Sequence, residues 1–502
     1  SVLSPDLTTN NPEWQKQADT GGLTPDATGA ENFTTLIALA PSPVEQGVLW
    51  AGSDDGRLHV TRDGGKTWTS VEKNLHGVPE NTWIPHIHSS THDPGTAFVV
   101  FDNHRRSDWT PYVAKTADFG KTWTSLATKT LNGYALSIVQ DPVDPDLLFL
   151  GTEFGLWVSQ DAGTSWLKHT HGVPTVSVMD LAIHPREHDL IVATHGRGLF
   201  ILDDIRPLRS ISEATQKEPI HLFEVPDAVQ HQVAQTGSSR FPGAGEFRGQ
   251  ARPYGAVLTY SLNVPGLPHP VEEKERERKE KERAQKEGNL AGKPAAPGAA
   301  GKTMVSDEPP EETPETPEAR PGRRGAKKGP EVKIEILDEA GKVIRTFQAP
   351  ATQGVNRAVW NLRRDPYRRI PRRNPNPFFE PMGPEALPGT YKVRVSYKDQ
   401  KSSEQMVRVV ADPRQNRPAE GRTANFAALE RAGRVQEALA DAVERINQTR
   451  SDVDAVTAKL RAREEKDKKE GREKKEGDPP TPAAGLIKSG RELRKKLDEM
   501  EK

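Results

Sequence analysis

The chain has 502 residues, which is too long for one ordinary domain and predicts roughly two to four. Lys and Arg (70) nearly balance Asp and Glu (71), so the charge argues against nucleic acid or an anionic membrane as a partner. The absence of cysteine excludes disulfides and thiolate metal sites, and no apolar run is long enough to span a bilayer.

The chain begins at SVLSPDL, with neither a start Met nor a signal-peptide pattern. We therefore expect a processed or truncated start, and the first residues carry no information about the compartment.

Four similar units follow between about residues 30 and 211, each with four short strand-like runs. The first unit contains FTTLIALA, GVLWAGS, RLHVTR and TWTSV. The fourth contains SVMDLAIH, LIVATH, GLFILDD and PLRSI, all predicted as strands. A four-stranded unit of about this length, roughly 40–45 residues, is typical of a β-propeller blade. The sequence predicts a mainly β fold that begins with a β-propeller over residues 1–211.

One eight-residue motif recurs in the first three units, as TRDGGKTW (61–68), TADFGKTW (116–123) and SQDAGTSW (159–166). It falls between the third and fourth strands of each unit. An Asp there can accept backbone N–H bonds across a tight turn, Gly permits positive φ, and Trp can bury its ring against the neighbouring blade. We interpret the motif as structural, with these residues: Asp63, Gly65, Trp68, Asp118, Gly120, Trp123, Asp161, Gly163 and Trp166.

Beyond residue 211 the pattern changes. Strand-like runs such as YGAVLTYSL, EVKIEILD and GTYKVRVSY predict an immunoglobulin-like β-sandwich over 212–265 and 331–412. Residues 266–330 split it with a charged, Pro-rich segment that we expect to be a disordered insertion. Apolar residues at helical spacing predict a helical hairpin over 423–502, with a charged break at 464–478.

The three octapeptides resemble the Asp-box, or bacterial neuraminidase repeat (BNR), which is shared by sialidases, xyloglucanase-type glycoside hydrolases and sortilin. The wider pattern is similar to large bacterial exported proteins described as sortilin-like or BNR-repeat "glycosyl hydrolase" proteins, and the resemblance implies that this chain corresponds to a C-terminal portion of such a protein. The similarity covers about residues 1–211 and rests on these segments: SPDLTTN, WAGSDDGRLHVTRDGGKTW, PYVAKTADFGKTW, LFLGTEFGLWVSQDAGTSW and VATHGRGLFILDD.

The resemblance implies a secreted or periplasmic location. It also implies that SVLSPDL is the outer strand of a blade whose own Asp-box lies upstream, so that several blades precede the chain. Asp-boxes occur in enzymes and non-enzymes alike, and they indicate a fold and not an activity.

Loop parity indicates where a ligand would bind. Consecutive loops of an antiparallel meander alternate between its two edges. The Asp turns lie between the third and fourth strands, on one edge. The loops between the second and third strands and the loops that join blades therefore lie on the opposite edge. The expected ligand-binding residues on that edge are His104, Arg105, Arg106, Trp109, Arg57, His195 and Arg197. Tight-turn chemistry alone also explains SDDG, TEFG and HGRG. The longer DNHRRSDWTP loop favours function, because long loops in compact folds more often have one.

Two hypotheses remain open. The first is an exported propeller that binds a peptide or carbohydrate ligand. The second is a glycoside hydrolase, whose chemistry needs two carboxylates about 5–9.5 Å apart. The weak catalytic candidates are Asp54, Asp55, Asp108 and Glu153, with Asp102 and Glu80 as further carboxylates on the same edge. A sialidase is disfavoured, because Tyr112 and Tyr134 lie in no sialidase-like context.

Eleven of the fourteen histidines lie between residues 59 and 195, and His86 and His88 share one side of an innermost strand. No spacing pattern supports a metal site, so we expect polar histidines lining the channel, with no metal and no cofactor. The sequence does not determine the ligand, the blade count or the oligomeric state.

Overall fold

The computed structural model describes residues 3–14, 33–231, 252–271, 329–370, 382–469 and 482–500. The residues up to Gln216 belong to a first compact unit, and the described residues from Lys217 onward belong to a second. The prediction of a mainly β fold is confirmed for the described chain, and both units contain antiparallel sheets.

The first unit contains four consecutive antiparallel sheets, which we call blades 1 to 4, each with its strands in chain order. Blade 1 consists of β1 (Leu36–Pro41), β2 (Leu49–Ser53), β3 (Leu58–Thr61) and β4 (Thr69–Ser70). Blade 2 consists of β5 (Trp83–Ser89), β6 (Ala97–Asp102), β7 (Tyr112–Thr116) and β8 (Thr124–Ser125). Blade 3 consists of β9 (Ala135–Gln140), β10 (Leu148–Thr152), β11 (Gly155–Ser159) and β12 (Leu167–His169). Blade 4 consists of β13 (Val178–Ile183), β14 (Leu190–Thr194) and β15 (Leu199–Leu202).

The prediction of a fourth strand in blade 4 is wrong. PLRSI lies in helix α1 (Arg206–Ser210), which is followed by α2 (Glu213–Lys217). Pro207 lies in the first turn of α1, where a missing N–H costs nothing. Arg209 then donates two bonds to the buried carboxylate of Asp141 in blade 3, at 2.8 and 3.0 Å. This ion pair stabilises the helix. It joins residues far apart in the chain, so the local strand pattern could not indicate it.

Hydrophobic layers join successive blades. Trp50, Leu58 and Val60 of blade 1 pack with Ile87 and Val99 of blade 2. Equivalent clusters join blade 2 to blade 3 and blade 3 to blade 4. Each blade therefore buries both of its faces where a neighbour exists, as propeller blades do.

The loops separate onto two edges, as parity predicts. On one edge the Asp turns bond to the loop between the first and second strands, through Gly64 N to Gly47 O at 3.0 Å and Phe119 N to Gly95 O at 3.0 Å. On the other edge a backbone bond ties the loop after the second strand to the joining loop, as in Glu153 N to Tyr134 O at 3.1 Å. We call these the Asp-turn edge and the opposite edge.

The second unit contains two sheets around one hydrophobic core. The three-stranded sheet has the order β16 (Ile220–Leu222), β18 (Ala256–Leu262) and β21 (Gly354–Trp360). The five-stranded sheet has the order β17 (Ala228–Val229), β23 (Ser403–Val410), β22 (Gly389–Ser396), β19 (Glu331–Leu337) and β20 (Val343–Pro350). The immunoglobulin-like classification of these sheets stays a prediction.

Two helices, α3 (Ala419–Lys469) and α4 (Pro482–Met500), end the described chain. Arg450 of α3 pairs with Asp498 of α4 at 3.0 Å, and Asp454 pairs with Arg494. Helix α3 extends into the segment predicted as a charged break, because Glu and Lys are good helix formers. Most of the predicted disordered insertion, residues 272–328, lies outside the described residues. Within the described residues, no helix is long and apolar enough to cross a membrane.

Candidate functional site

The three Asp turns have the same internal bonding. In the first turn, Asp63 accepts the backbone N–H of Thr67 at 2.9 Å and its hydroxyl at 2.7 Å. Asp118 and Asp161 bond the residue four positions later in the same way. The backbone and side-chain bonds from Thr67 lower the pKa of Asp63 to about 2. These carboxylates are occupied within their own turns, and this fits a structural role.

The motif glycines and tryptophans of blades 2 and 3 lie against the preceding blade. Gly120 has φ of +78°, and a Cβ there would lie 2.8 Å from Val71 of blade 1. The Trp166 ring is buried, and its Nε1 donates to Leu126 O of blade 2 at 2.9 Å. Trp123 meets Trp50 of blade 1 edge-on at 6.2 Å. In blade 1, Gly65 has φ of +92°, and Gly163 in blade 3 has +91°.

Trp68 differs from the other two tryptophans. It is only partly buried, and its Nε1 donates to Gly65 O of its own turn at 3.1 Å.

The opposite edge carries a cluster of aromatic side chains at the long loop between β6 and β7. The His104 ring stacks on Tyr134 at 4.3 Å, and Trp109 lies 5.6 Å from Tyr134 and 6.0 Å from His104. We call these three residues the aromatic cluster. His104 and Trp109 were predicted, whereas Tyr134 was considered only as a sialidase nucleophile and rejected. Tyr134 precedes β9 in a loop that joins two blades. Only the alternation of loops between the two edges, combined with the length of the β6–β7 loop, could have indicated that Tyr134 belongs to this site.

Carboxylates flank the aromatic cluster. Nδ1 of His104 lies 2.6 Å from Oδ1 of Asp102, which orients the imidazole. The Tyr134 hydroxyl bonds Glu153, and burial followed by this bond raises the pKa of Tyr134. The phenol therefore stays protonated at neutral pH and donates to Glu153.

Asp108 shapes the long loop from within. Its Oδ2 accepts bonds from Asn103 Nδ2 at 2.9 Å and from the Tyr112 hydroxyl at 2.8 Å. Burial opposes ionisation of Asp108, but bonds from Asn103, Thr110 and Tyr112 outweigh it and lower its pKa. Ser107, beside it in the loop, has φ of +62°, in the left-handed region, and its backbone N–H donates to His104 O at 2.9 Å.

The two predicted arginine anchors hold the loop from outside. The Arg105 guanidinium lies 3.7 Å from the centre of the Trp83 ring, which itself stacks on Phe33 at 6.1 Å. Nη1 of Arg106 donates to Glu80 O at 3.1 Å. Both arginines thus contact the protein, and the exposed aromatic member of the predicted set is Trp109, whose surface is 53 % accessible.

The remaining predicted residues are dispersed. Asp55 is fully buried and accepts the amide and hydroxyl of Thr9 at 2.7 and 2.6 Å, so it ties residues 8–9 to blade 1. Asp54 is buried and accepts Thr35 N at 2.8 Å, and burial raises its pKa to about 6. His195 and Arg197 are exposed in the turn of blade 4.

Arg57 pairs with Glu72 at 3.1 Å and lines a cleft of about 330 Å³. Gly56, Lys73, Glu80 and Asn81 also line this cleft. A Cβ on Gly56 would lie 2.6 Å from the backbone of Asn81, so glycine is needed for this close approach.

The innermost-strand histidines are uncharged at neutral pH. Burial lowers the pKa of His88 to about 4, and its Nε2 is buried without a hydrogen-bond partner among the described residues. Burial also lowers the pKa of His86, against the pull of Asp180, 3.8 Å away. No group of three or more His, Cys, Asp or Glu side chains suited to a metal ion occurs in the described ranges.

No protein-family model and no curated protein matches this chain. Among solved structures, the GH74 xyloglucanase from Xanthomonas campestris is 18 % identical over 45 % of this chain and 34 % of its own, with a TM-score of 0.29. YCF48 bound to D1 peptide is 16 % identical over 32 % of this chain and 48 % of its own, with a TM-score of 0.25.

The extracellular domain of a hybrid two-component system from B. thetaiotaomicron is 16 % identical over 36 % of this chain and 22 % of its own, with a TM-score of 0.27. The chain spans less than half the length of each of these three structures.

Proposed function

We propose that this chain is an exported Asp-box β-propeller protein that binds a peptide or glycan ligand on the opposite edge, at the aromatic cluster. The observation that carries the proposal is Trp109, a large apolar ring 53 % exposed on a loop that is fixed on several sides. An aromatic side chain on a rigid loop offers contact area at little entropic cost, and Trp is prominent among binding hot spots.

The rigidity of the loop rests on bonds within it and on two contacts to residues 80–83, at the start of β5. Asp108 bonds Asn103 and Tyr112 inside the loop, Arg105 covers Trp83, and Arg106 reaches the backbone of Glu80. A loop held in this way does not need to be ordered by the ligand, so little of the binding free energy is lost on binding.

The cleft beside Glu80 extends the site. Arg57, Glu72 and Lys73 give it charged groups of both signs, while Leu75, Val78 and Phe101 give it apolar walls. A mixed lining of this kind suits an extended polar ligand that lies across the aromatic cluster and continues into the cleft.

The same bonds disfavour the glycoside hydrolase alternative. Asp102 is bonded by His104, Glu153 by Tyr134 and Asp108 by three loop groups. Asp55 is fully buried. A hydrolase needs an acid and a base that face the scissile bond, and these four carboxylates are instead engaged in holding loops.

The test is binding of the purified chain to glycan and peptide arrays, followed by measurement of affinity for each hit. We expect Trp109→Ala to weaken binding at least tenfold, about 1.4 kcal/mol or more. The matched control is Val143→Ala, an exposed apolar residue on the Asp-turn edge, which should bind like the parent chain. Equal binding by the parent chain and both variants would show that the ligand does not bind at the aromatic cluster.

Turnover assays on the same hits test the alternative. Hydrolysis that is abolished by a single Asp54, Asp55, Asp108 or Glu153 change to Ala would overturn a purely binding function. The secreted or periplasmic location rests on the family resemblance, and fractionation of producing cells tests it.

A further inference from the structure

The aromatic surface on the opposite edge continues beyond Tyr134. Phe154, in the turn between β10 and β11, is 39 % exposed, and a Cβ on Gly133 would lie 2.9 Å from its ring. Gly133 directly precedes Tyr134 and has φ of +78°, so glycine permits both the turn and the close approach of Phe154. Trp109, Tyr134 and Phe154 thus come from three different loops and lie in one region. Single exposed apolar side chains are ordinary, whereas a group of them marks a binding surface.

Two carboxylates lie directly beside these rings. Asp102 accepts the backbone N–H of His104 at 3.0 Å, and its Oδ1 lies 2.6 Å from the Nδ1 of that ring. Glu153 is the residue before Phe154, and it accepts the Tyr134 hydroxyl. A tyrosine hydroxyl is neutral, so this bond orients Glu153 without compensating its charge. Because a carboxylate has about four acceptor positions, Glu153 keeps both its charge and acceptor capacity for a ligand.

The phenol of Tyr134 reports the sign of the charge around the cluster. Burial raises its pKa most, Glu153 and Asp102 raise it further, and Arg105 lowers it by less than either carboxylate raises it. The Arg105 guanidinium lies over Trp83, outside the cluster. Negative charge therefore predominates at the rings.

An exposed aromatic ring and a carboxylate favour the same kind of ligand group. The face of a ring carries negative potential and attracts cations, most strongly in Trp. A sugar can stack on the same rings, but it is neutral and does not compensate the negative charge, and an anionic group is repelled. The chain already contains cations placed over rings: Arg105 lies 3.7 Å from the centre of the Trp83 ring, and Arg62 lies 3.9 Å from that of Phe119.

We infer, on the basis of the function proposed above, that the ligand is a peptide and that one of its Arg or Lys side chains binds at the aromatic cluster, with the cation against the exposed rings and an N–H donated to Glu153. Arginine is the better fit, because a planar guanidinium can stack on a ring and bond a carboxylate through two N–H groups. The rest of the peptide extends toward the cleft beside Glu80, where Arg57, Glu72 and Lys73 offer charges of both signs.

The test compares peptides that differ only in the charge of one side chain. An array of short peptides with a fixed central Arg or Lys is set beside a counterpart array in which citrulline replaces Arg and Gln replaces Lys. Affinities of the hits are then measured by fluorescence anisotropy with the full 502-residue chain. We expect the Arg peptides to bind about tenfold more tightly than their citrulline counterparts, because the cation makes both the ring contact and the carboxylate contact.

The variant Glu153→Gln tests the carboxylate. The Gln side chain keeps an oxygen that accepts the Tyr134 hydroxyl, but it has no charge. The preference for Arg over citrulline should fall to about threefold or less, while the citrulline peptide binds as it does to the parent chain. A purely structural effect would weaken both peptides alike and would contradict this role of Glu153. The matched control is Asp146→Asn, which removes an exposed carboxylate on the Asp-turn edge and should retain the full preference.

The outcomes separate this inference from the function on which it rests. Equal binding of Arg and citrulline peptides, with both weakened by Trp109→Ala, would overturn the basic anchor and leave a peptide site at the aromatic cluster. Hits on glycans alone, again lost in Trp109→Ala, would overturn the peptide and leave the binding function in place. Basic peptides that bind equally well to the Trp109→Ala chain would overturn both proposals, and the absence of any bound peptide would overturn the inference.

Discussion

The two edges of the first unit are built from loops of opposite character: loops of nearly uniform length form the Asp-turn edge, and loops of varied length form the opposite edge. On the Asp-turn edge, three turns repeat one set of bonds around Asp63, Asp118 and Asp161. On the opposite edge the loops differ in length and in their side-chain contacts, and the aromatic cluster forms where the loop between β6 and β7 meets the joining loop before β9. A contact that is repeated in several blades stabilises a feature that they share, which is the packing of each blade. Ligand recognition needs a surface that occurs once, and the site proposed above lies where the loops diverge.

The electrostatics of the two edges also differ. Bonds from its own turn lower the pKa of Asp63, so that carboxylate favours the folded state when it is charged. Burial raises the pKa of Asp54, so that carboxylate favours the folded state when it is neutral. The stabilisation from charged Asp63 is lost as pH falls below the usual Asp range. The stabilisation from neutral Asp54 is lost as pH rises through about 6.

The largest expected effect is on the Asp-turn side of the comparison. Trp166→Ala should destabilise the first unit by about 3–5 kcal/mol, because the ring is buried between blades and its Nε1 bonds Leu126 O. Trp68→Ala should cost clearly less, because that ring is partly exposed and bonds only its own turn. Urea unfolding of both variants checks the order, and equal losses would show that the motif tryptophans are equivalent after all.

A smaller loss is expected for Gly120→Ala. The residue has φ of +78°, and the new Cβ would meet the Val71 side chain at 2.8 Å, so we expect about 1–3 kcal/mol of destabilisation. Gly64→Ala is the matched control: its φ of +73° imposes similar backbone strain, but nothing lies within 4 Å. The unfolding temperature of Gly120→Ala should be lower than that of Gly64→Ala. The reverse order would show that the contact with Val71 does not determine the loss of stability.

The pH dependence of stability tests the opposite edge. Between about pH 4 and pH 6 the folded state holds a proton on Asp54 that the unfolded state has released, so this group lowers stability as pH rises through that window. Asp54→Asn cannot ionise but keeps an oxygen to accept Thr35 N–H, so its stability should fall less over the same window. Urea titrations at a series of pH values measure the difference, and parallel curves for the two proteins would show that Asp54 titrates normally.

The smallest stability effect is expected at the aromatic cluster. Trp109→Ala should change the free energy of unfolding by less than about 1 kcal/mol, because the Trp109 side chain is half exposed and its removal leaves no buried cavity. This variant then separates binding from folding in the array experiment. A large loss of stability would mean that Trp109 holds the loop together and that its exposure is incidental.

Much of the first unit could be predicted from sequence. The strands, the repeat and the two edges follow from period-two alternation and from turn residues at fixed positions, both of which are local properties. The fourth strand of blade 4 was predicted wrongly because PLRSI has strand-like composition, whereas the helix is stabilised by contacts with distant residues: Arg209 pairs with Asp141, and Leu208 packs in the core between blades 3 and 4. The roles of Arg105 and Arg106 in holding the long loop depend on Trp83 and Glu80, which lie far away in the sequence.

The sequence by itself determined that the chain is mainly β, that blade-like units repeat and that the long loop at residues 102–111 lies opposite the Asp turns. Local hydrogen bonding and side-chain alternation carry that information, so it survives without tertiary context. Only the tertiary structure decided which side chains meet. It brought Tyr134 against His104, buried Asp55 under Thr9 and left Trp109 exposed. These outcomes depend on contacts between residues far apart in the chain, and no pattern within one segment specifies them.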